Sequence, residues 1–216
     1  MKSKKRLAMT IILVLLITII IIITTKIVVK KELFIDNLAY NLIVLKLRND
    51  NLTKVMKLIT KLSNTKTILI ISIILTIIVS LLKNIKIASL IPINLGIVAI
   101  INQGLKHIFQ RPRPIGFRLI EIGGFSFPSG HAMASTAFYG LLIYLAYKLI
   151  KNKTIRNLFI VINILIIIGI GLSRIYLGVH YCSDVIVGIC ISLIYLILYI
   201  KIINKYKIIE KSQNKP

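Results

Sequence analysis

Six long stretches without a charged residue divide this 216-residue chain, and they restrict its fold more than any other feature. They run over Leu7–Thr25, Thr67–Leu82, Ile87–Leu105, Ala132–Tyr147, Asn157–Ser173 and Val185–Ile200. A membrane-crossing helix needs about 20 mainly apolar residues, with roughly 17 as a lower bound. The first and third runs suffice alone. Others end near Lys83, Lys148 and Lys201, whose long stems extend an apolar run while the ammonium stays at the interface. The expected fold class is therefore all-α: a polytopic membrane protein with six transmembrane helices, one integral membrane domain over residues 1–216. Hydrophobic residues make up 57% of the chain, above the ~45–50% of a soluble domain. That excludes an ordinary soluble core, and disorder as well. The net charge of +23 comes from 29 basic against 6 acidic residues. The basic residues fall between the apolar runs, so the partner read from them is a bilayer and not a nucleic acid. Lys2, Lys4, Lys5 and Arg6 before the first run resemble the start of a signal peptide. The run exceeds the usual ~7–15 residues and lacks a small-residue cleavage site, so a retained span is expected.

Orientation follows from the positive-inside rule. With the N-terminus inside, the inner segments are 1–6, 83–86, 148–156 and 201–216, and they hold 15 of the 29 basic residues. The last of these is a basic cytoplasmic tail. The last two outer segments hold Lys106, Arg111, Arg113, Arg118 and Arg174. The outer loop of residues 26–66 breaks the rule with nine. Within it Leu52, Val55, Met56, Ile59 and Leu62 share a helical face opposite Lys54, Lys57 and Lys61. Such a basic amphipathic helix either lies on anionic headgroups or packs on the spans. All 11 glycines lie after residue 95, so special backbone angles and close approaches are concentrated in the later half.

Three polar clusters interrupt that half: Lys106 through Pro114, Pro128-Ser129-Gly130-His131, and Ser173-Arg174 with His180 and Asp184. Ionisable groups at span ends mark functional sites by default, and the topology places all three clusters at the outer face. Lys106, Arg113 and Arg174 are cations suited to phosphate oxygens, arginine through its fork of N–H donors. Pro128-Ser129-Gly130 precedes an apolar helical run, where free backbone N–H groups and the helix dipole favour an anion. Ser129 can donate its hydroxyl, and Gly130 lets an anion approach the backbone. His180 and Asp184 are one helical turn apart. A carboxylate on one ring nitrogen fixes the tautomer and frees the other nitrogen as a nucleophile. His131 beside the cradle can act as general acid, then activate water.

These residues resemble the type 2 phosphatidic acid phosphatase family, membrane lipid phosphatases related to the vanadium haloperoxidases. The family pattern K-x6-R-P, P-S-G-H and S-R-x5-H-x3-D is matched by Lys106…Arg113-Pro114, Pro128–His131 and Ser173-Arg174…His180…Asp184. The motifs span 106–184. The resemblance implies a haloperoxidase-like helical bundle and a lipid phosphatase active through a phosphohistidine at His180, oriented by Asp184. His131 would protonate the leaving group, and Lys106, Arg113, Ser129, Gly130 and Arg174 would hold the phosphoryl oxygens. No cofactor and no metal are expected; the sequence has no acidic cluster for Mg²⁺. Undecaprenyl diphosphate, phosphatidylglycerol phosphate and phosphatidic acid are the expected substrates, and a bacterial plasma membrane the expected setting.

The remaining polar residues receive structural readings. Arg111 sits outside the fixed positions, with a lesser option of reaching a lipid phosphate. His107, also inside the first motif but outside its fixed positions, is read as structural, and Arg118 and Glu121 as a solvated loop. Asn94, Asn102 and Gln103 are read as interhelical hydrogen-bonding groups, and Pro92 as a kink. Cys182 invites a cysteine-phosphatase reading, but Cys-x5-Arg fails because position 188 is Gly. Cys182 and Cys190, eight residues apart on one helix, are about 12 Å apart, too far for a disulfide. The competing function is a transporter or binding protein for anionic lipids or solutes that uses the same cations. It leaves the His–Asp pair unexplained.

Overall fold

The computed structural model describes residues 2–209. Of the tail read over 201–216, the first residues continue the last helix, and residues from 210 lie outside the described ones. In chain order the helices are α1 (Lys2–Val28), α2 (Phe34–Ala39), α3 (Asp50–Lys61), α4 (Thr65–Leu82), α5 (Ile85–Ala88), α6 (Leu90–Phe109), α7 (Gly130–Leu149), α8 (Lys153–Tyr176) and α9 (Cys182–Lys205). No strand occurs among the described residues. Among the described residues six segments are long and apolar enough to cross a membrane: Arg6–Val28, Thr65–Leu82, Ile85–Phe109, Gly130–Leu149, Lys153–Tyr176 and Cys182–Lys205. They coincide with the six expected runs, each longer by the flanking residues that the charge-free criterion removed.

Helix α7 is the centre of the bundle and packs on α6, α8 and α9. Phe138, Leu141 and Leu145 meet Ile91, Ile170 and Ile203 in the main core. Polar side chains tie the helices where apolar packing cannot discriminate: Asn94 Nδ2 donates to the Ala137 carbonyl (2.8 Å) and Asn102 Nδ2 to that of Pro128 (3.2 Å). The interhelical reading of these asparagines holds. Helix α1, the least buried span, lies mainly against α9, with Ile20, Ile23 and Ile27 in a cluster with Phe127 and Val187.

Pro92 acts more strongly than a kink. It has no N–H for the carbonyl four residues back, which is Ala88, and its ring crowds that group. The helix stops at Ala88 and restarts at Leu90, so the third span is α5 plus α6.

The 26–66 loop is also more structured than one amphipathic helix. It begins with α2, continues as a π-helical turn over Tyr40–Leu45, and ends in α3. Asn49 caps α3 by accepting from the Leu52 N–H at 2.9 Å, and Asp50 and Lys61 complement its dipole. Leu52 and Met56 pack on Tyr176, Leu177 and Val179, and Ile59 and Leu62 join the main core. Leu52, Met56, Ile59 and Leu62 thus fit the reading of a helix packed on the spans, while Val55, Lys54, Lys57 and Lys61 are exposed.

The link between α8 and α9 sets the site's shape. The Val179 N–H donates to the Arg174 carbonyl (3.2 Å) and the Gly178 N–H to that of Ile175 (2.9 Å). This is a Schellman cap, with Gly178 left-handed at φ +71°. A Cβ there would lie 2.3 Å from the Phe117 carbonyl oxygen and 2.8 Å from Arg48 Nη2. Gly178→Ala is therefore expected to cost at least about 2 kcal/mol, from left-handed strain plus the clash. That would lower the melting temperature in detergent by roughly 5 °C or more. An unchanged melting curve would mean that the cap is not needed.

Candidate active site

The three polar clusters meet at one end of the bundle. Lys106 comes from the last turn of α6, Arg113 from the following loop, Ser129–His131 from the start of α7, Arg174 from the end of α8, His180 from the link before α9 and Asp184 from the first turn of α9. A cavity of about 540 Å³ opens beside them, with Ser129, Arg174 and Asp184 behind its lining. Lys106, Arg113, Gly130, His131 and His180 line one part, and Ile68, Leu69, Leu95, Val98 and Met133 the other. It is thus polar at one end and hydrocarbon-like at the other, between α4, α6 and α7.

His180 is 3% exposed. Arg113 Nη1 lies 3.0 Å from His180 Nε2. A guanidinium only donates, so Nε2 accepts and the ring proton resides on Nδ1. Nδ1 faces Asp184 Oδ2 at 3.4 Å, with Ser126 Oγ 3.3 Å from Nδ1 and donating to the same carboxylate oxygen. The Nε2 lone pair therefore points to Arg113 Nη1. Burial pushes the imidazole pKa down to about 4: desolvation outweighs Asp184, with Arg174 and Arg113 adding to it. His180 is neutral at physiological pH, as an attacking nitrogen must be.

Arg113 is anchored on the protein. Its Nε donates to the Gly123 and Gly124 carbonyls (3.2 and 3.0 Å) and Nη1 also to that of Val179 (2.9 Å). Burial lowers its pKa, with Asp184 opposing. Lys106 Nζ donates to the Phe125 carbonyl, so the loop over 110–129 is folded around both cations. Arg174, 1% exposed, donates from Nη1 to Thr60 Oγ1 at 2.7 Å. Its Nε and Nη2 have no partner. Two unpaired N–H-bearing nitrogens on a buried cation are costly unless an anion fills the place they face.

His131 presents Nε2 to Asn64 Oδ1 at 2.9 Å, and its carbonyl accepts from Ser63 Oγ at 3.0 Å. Gly130 is tight, because a Cβ would lie 3.0 Å from Asn102 Oδ1. Ser129 is placed differently from the phosphate-donor expectation. It is fully buried and does not line the cavity. Its N–H donates to the Asp184 carbonyl (3.1 Å), and its hydroxyl caps α7 at the Ala132 N–H (3.5 Å). Here it fixes the start of α7 against α9.

Arg111 is tied to carboxylates: Nη1 to Asp184 Oδ1 (2.6 Å) and Nη2 to Asp36 Oδ2 (2.9 Å). The option that it reaches a lipid phosphate has no support in this geometry. Sequence reasoning missed Asp36, Thr60, Asn64 and Ser126. For Asp36 a signal existed, since the chain has only six acids among 29 basic residues, and each acid is a valuable partner. Thr60, Asn64 and Ser126 carry no such mark. Cys182 and Cys190 are free thiols. No group of three or more His, Cys, Asp or Glu side chains able to hold a metal occurs among the described residues.

Comparison with known proteins agrees with this arrangement. The family model described as PAP2 superfamily matches residues 88–208. Phosphatidylglycerophosphatase B of Bacillus subtilis (strain 168) is 34% identical over 103 residues, covering 46% of this chain and 49% of the relative. Sphingosine-1-phosphate phosphatase 1 of Rattus norvegicus is 30% identical over 113 residues, covering 50% of this chain and 26% of the relative. The matched stretch thus spans half or less of each curated relative. The crystal structure described as the first transmembrane PAP2 type phosphatidylglycerolphosphate phosphatase from Bacillus subtilis superposes with a TM-score of 0.80. Identity to it is 27%, and the match covers 89% of this chain and 96% of that one.

Proposed function

This chain belongs to the PAP2 superfamily, and from that premise we propose that it is an integral membrane lipid phosphatase working through a phosphohistidine at His180. The observation that carries this reading is the two-ended cavity, with His180, His131 and two cations at one end and span side chains at the other. A lipid can place its phosphate at the polar end and its chain among α4, α6 and α7.

In the first step His180 Nε2 attacks phosphorus. A P–N bond forms and the P–O bond to the lipid breaks, with His131 giving a proton to the departing alkoxide. Arg113 Nη1 moves from Nε2 to a phosphoryl oxygen as the nitrogen lone pair is used. Arg174 contributes its two unpaired nitrogens, and Lys106 a point charge. Together the cations stabilise the charge spread over the transferring group. Asp184 balances the positive charge that appears on the ring. Water, losing a proton to His131, then cleaves the P–N bond and releases inorganic phosphate.

Outside the 26–66 loop the basic residues favour the opposite ends of the spans, 15 against five, so the site faces outward in this proposal. Phosphatidylglycerol phosphate is the first candidate substrate, since it is the lipid named for the Bacillus subtilis relative and for the similar solved structure.

The test is phosphate release by the full chain in detergent with EDTA. Phosphatidylglycerol phosphate, undecaprenyl diphosphate and phosphatidic acid would be offered in parallel from pH 3.5 to 8. The expected result is metal-independent release, fastest from phosphatidylglycerol phosphate. The acid limb of kcat/KM should lie near pH 4, since activity needs neutral His180 and is lost as pH falls through its depressed pKa. Failure to hydrolyse any lipid phosphate would refute the proposal. A limb near pH 6.5 would mean that the attacking base is not the buried His180.

A further inference from the structure

The first outer loop reaches the catalytic end through one residue. Asp36, on α2, accepts from the Ser183 N–H with Oδ1 (2.8 Å), and from Ser183 Oγ (2.8 Å) and Arg111 Nη2 (2.9 Å) with Oδ2. Arg111 in turn bonds Asp184 Oδ1 (2.6 Å) and Ser183 Oγ (2.7 Å), and lies 4.0 Å from the Tyr181 ring centre. Asp184 is fully buried. Its Oδ1 belongs to Arg111. Its Oδ2 takes the Tyr181 N–H (2.9 Å) and Ser126 Oγ, and only then His180 Nδ1 at 3.4 Å. The carboxylate is held from three sides before it meets the histidine.

From this geometry we infer that Asp36 and Arg111 are positioning residues: they fix the Asp184 carboxylate and divide its charge between a permanent guanidinium and the catalytic imidazole. The inference rests on the catalytic reading of His180 and Asp184 above. Two consequences follow from the chemistry. Arg111 restrains Asp184 from drawing a proton onto His180 before substrate binds, which keeps Nε2 nucleophilic. It also prevents the buried carboxylate from rotating away when the ring becomes charged. Burial works against the Arg111 charge, yet Asp184 and Asp36 outweigh it and raise its pKa above the ordinary value; it remains a cation throughout. The other charged and titratable groups around His180 and Asp184 are Arg174 on α8, Arg113 on the loop after α6, Lys106 on α6, His131 on α7, and Tyr181 and Cys182 next to them in the chain. None of these contacts Asp184 in the way Arg111 does.

The experiment uses the full chain in detergent with Arg111→Gln, Arg111→Lys and Asp36→Asn. Steady-state kinetics are combined with NMR titration of the three histidines, His180 being assigned through His180→Asn. Arg111→Gln should lower kcat by about 10–100-fold with KM changed less than threefold, and raise the titration midpoint of His180 by about one pH unit or more. Asp36→Asn should move both in the same direction by less, and Arg111→Lys should restore part of each. Combining Asp36→Asn with Arg111→Gln should add little to the latter alone, as expected of groups acting through one contact. A rise in KM with kcat and the His180 midpoint unchanged would overturn the inference and make Arg111 a substrate ligand. Wild-type behaviour in Asp36→Asn and both Arg111 variants would overturn it too. The titration needs no turnover: if the wild-type chain hydrolyses no lipid but the midpoint still moves, the proposed function fails while the positioning role stands.

Discussion

Arg174→Ala is expected to lower kcat by about 10²–10³-fold, the usual loss when one preorganised donor to a developing oxyanion is removed. Three observations converge on this. Arg174 is 1% exposed, only Nη1 is engaged by a protein partner, and Nε and Nη2 face no acceptor. The protein thus keeps a desolvated cation with unpaired N–H groups, which the phosphate completes in the proposed mechanism. The same reasoning predicts an opposite effect on stability. Arg174→Met keeps the volume and removes the unpaired charge, so its melting temperature should match or exceed that of the parent. Kinetics and melting curves measured on the same preparations check both halves. Near-parent turnover in Arg174→Ala would remove it from the phosphate site. A large loss of stability in Arg174→Met would make it a structural cation.

His180→Ala should abolish turnover, by about 10⁴-fold or more, because no second group can replace a covalent nucleophile. Its imidazole is also the group a labelled lipid phosphate should mark. Brief incubation of the parent with substrate carrying labelled phosphorus, stopped in alkaline detergent, should leave label on the chain. The label should be acid-labile and absent from His180→Ala. Fold disruption is a small concern, since the His180 ring bonds side chains and not backbone: Arg113, Ser126 and Asp184. Retained turnover in the variant, or label persisting on it, would place the nucleophile elsewhere.

Much of this was readable before the fold was known. Charge-free run length located all six spans, because a bilayer demands about 20 apolar residues wherever a helix crosses it. Residue spacing also placed His180 and Asp184 on one helical turn, although the actual helix begins only at Cys182. The pair is held instead by the Asp184 carboxylate capping the start of α9 at the Tyr181 N–H. The amphipathic pattern of α3 was legible, but its destination was not. An apolar face suits a headgroup layer and a neighbouring helix equally well, and only the tertiary structure shows Leu52 and Met56 against Tyr176 and the α8–α9 link.

By itself the sequence determined the number and place of the spans and the chemical inventory of the site. Both are local properties of run length and residue type. The tertiary structure decided how two arginines in one short strip divide their work. Arg113 sits on His180 Nε2, and Arg111, two residues earlier, pairs with Asp184 and Asp36. Nothing in their side chains distinguishes them. Their partners lie 67 to 75 residues away in the chain, and Asp36 and Ser183 are separated by 147. Such pairings are set by which helix ends the bundle brings together, and no local period records them.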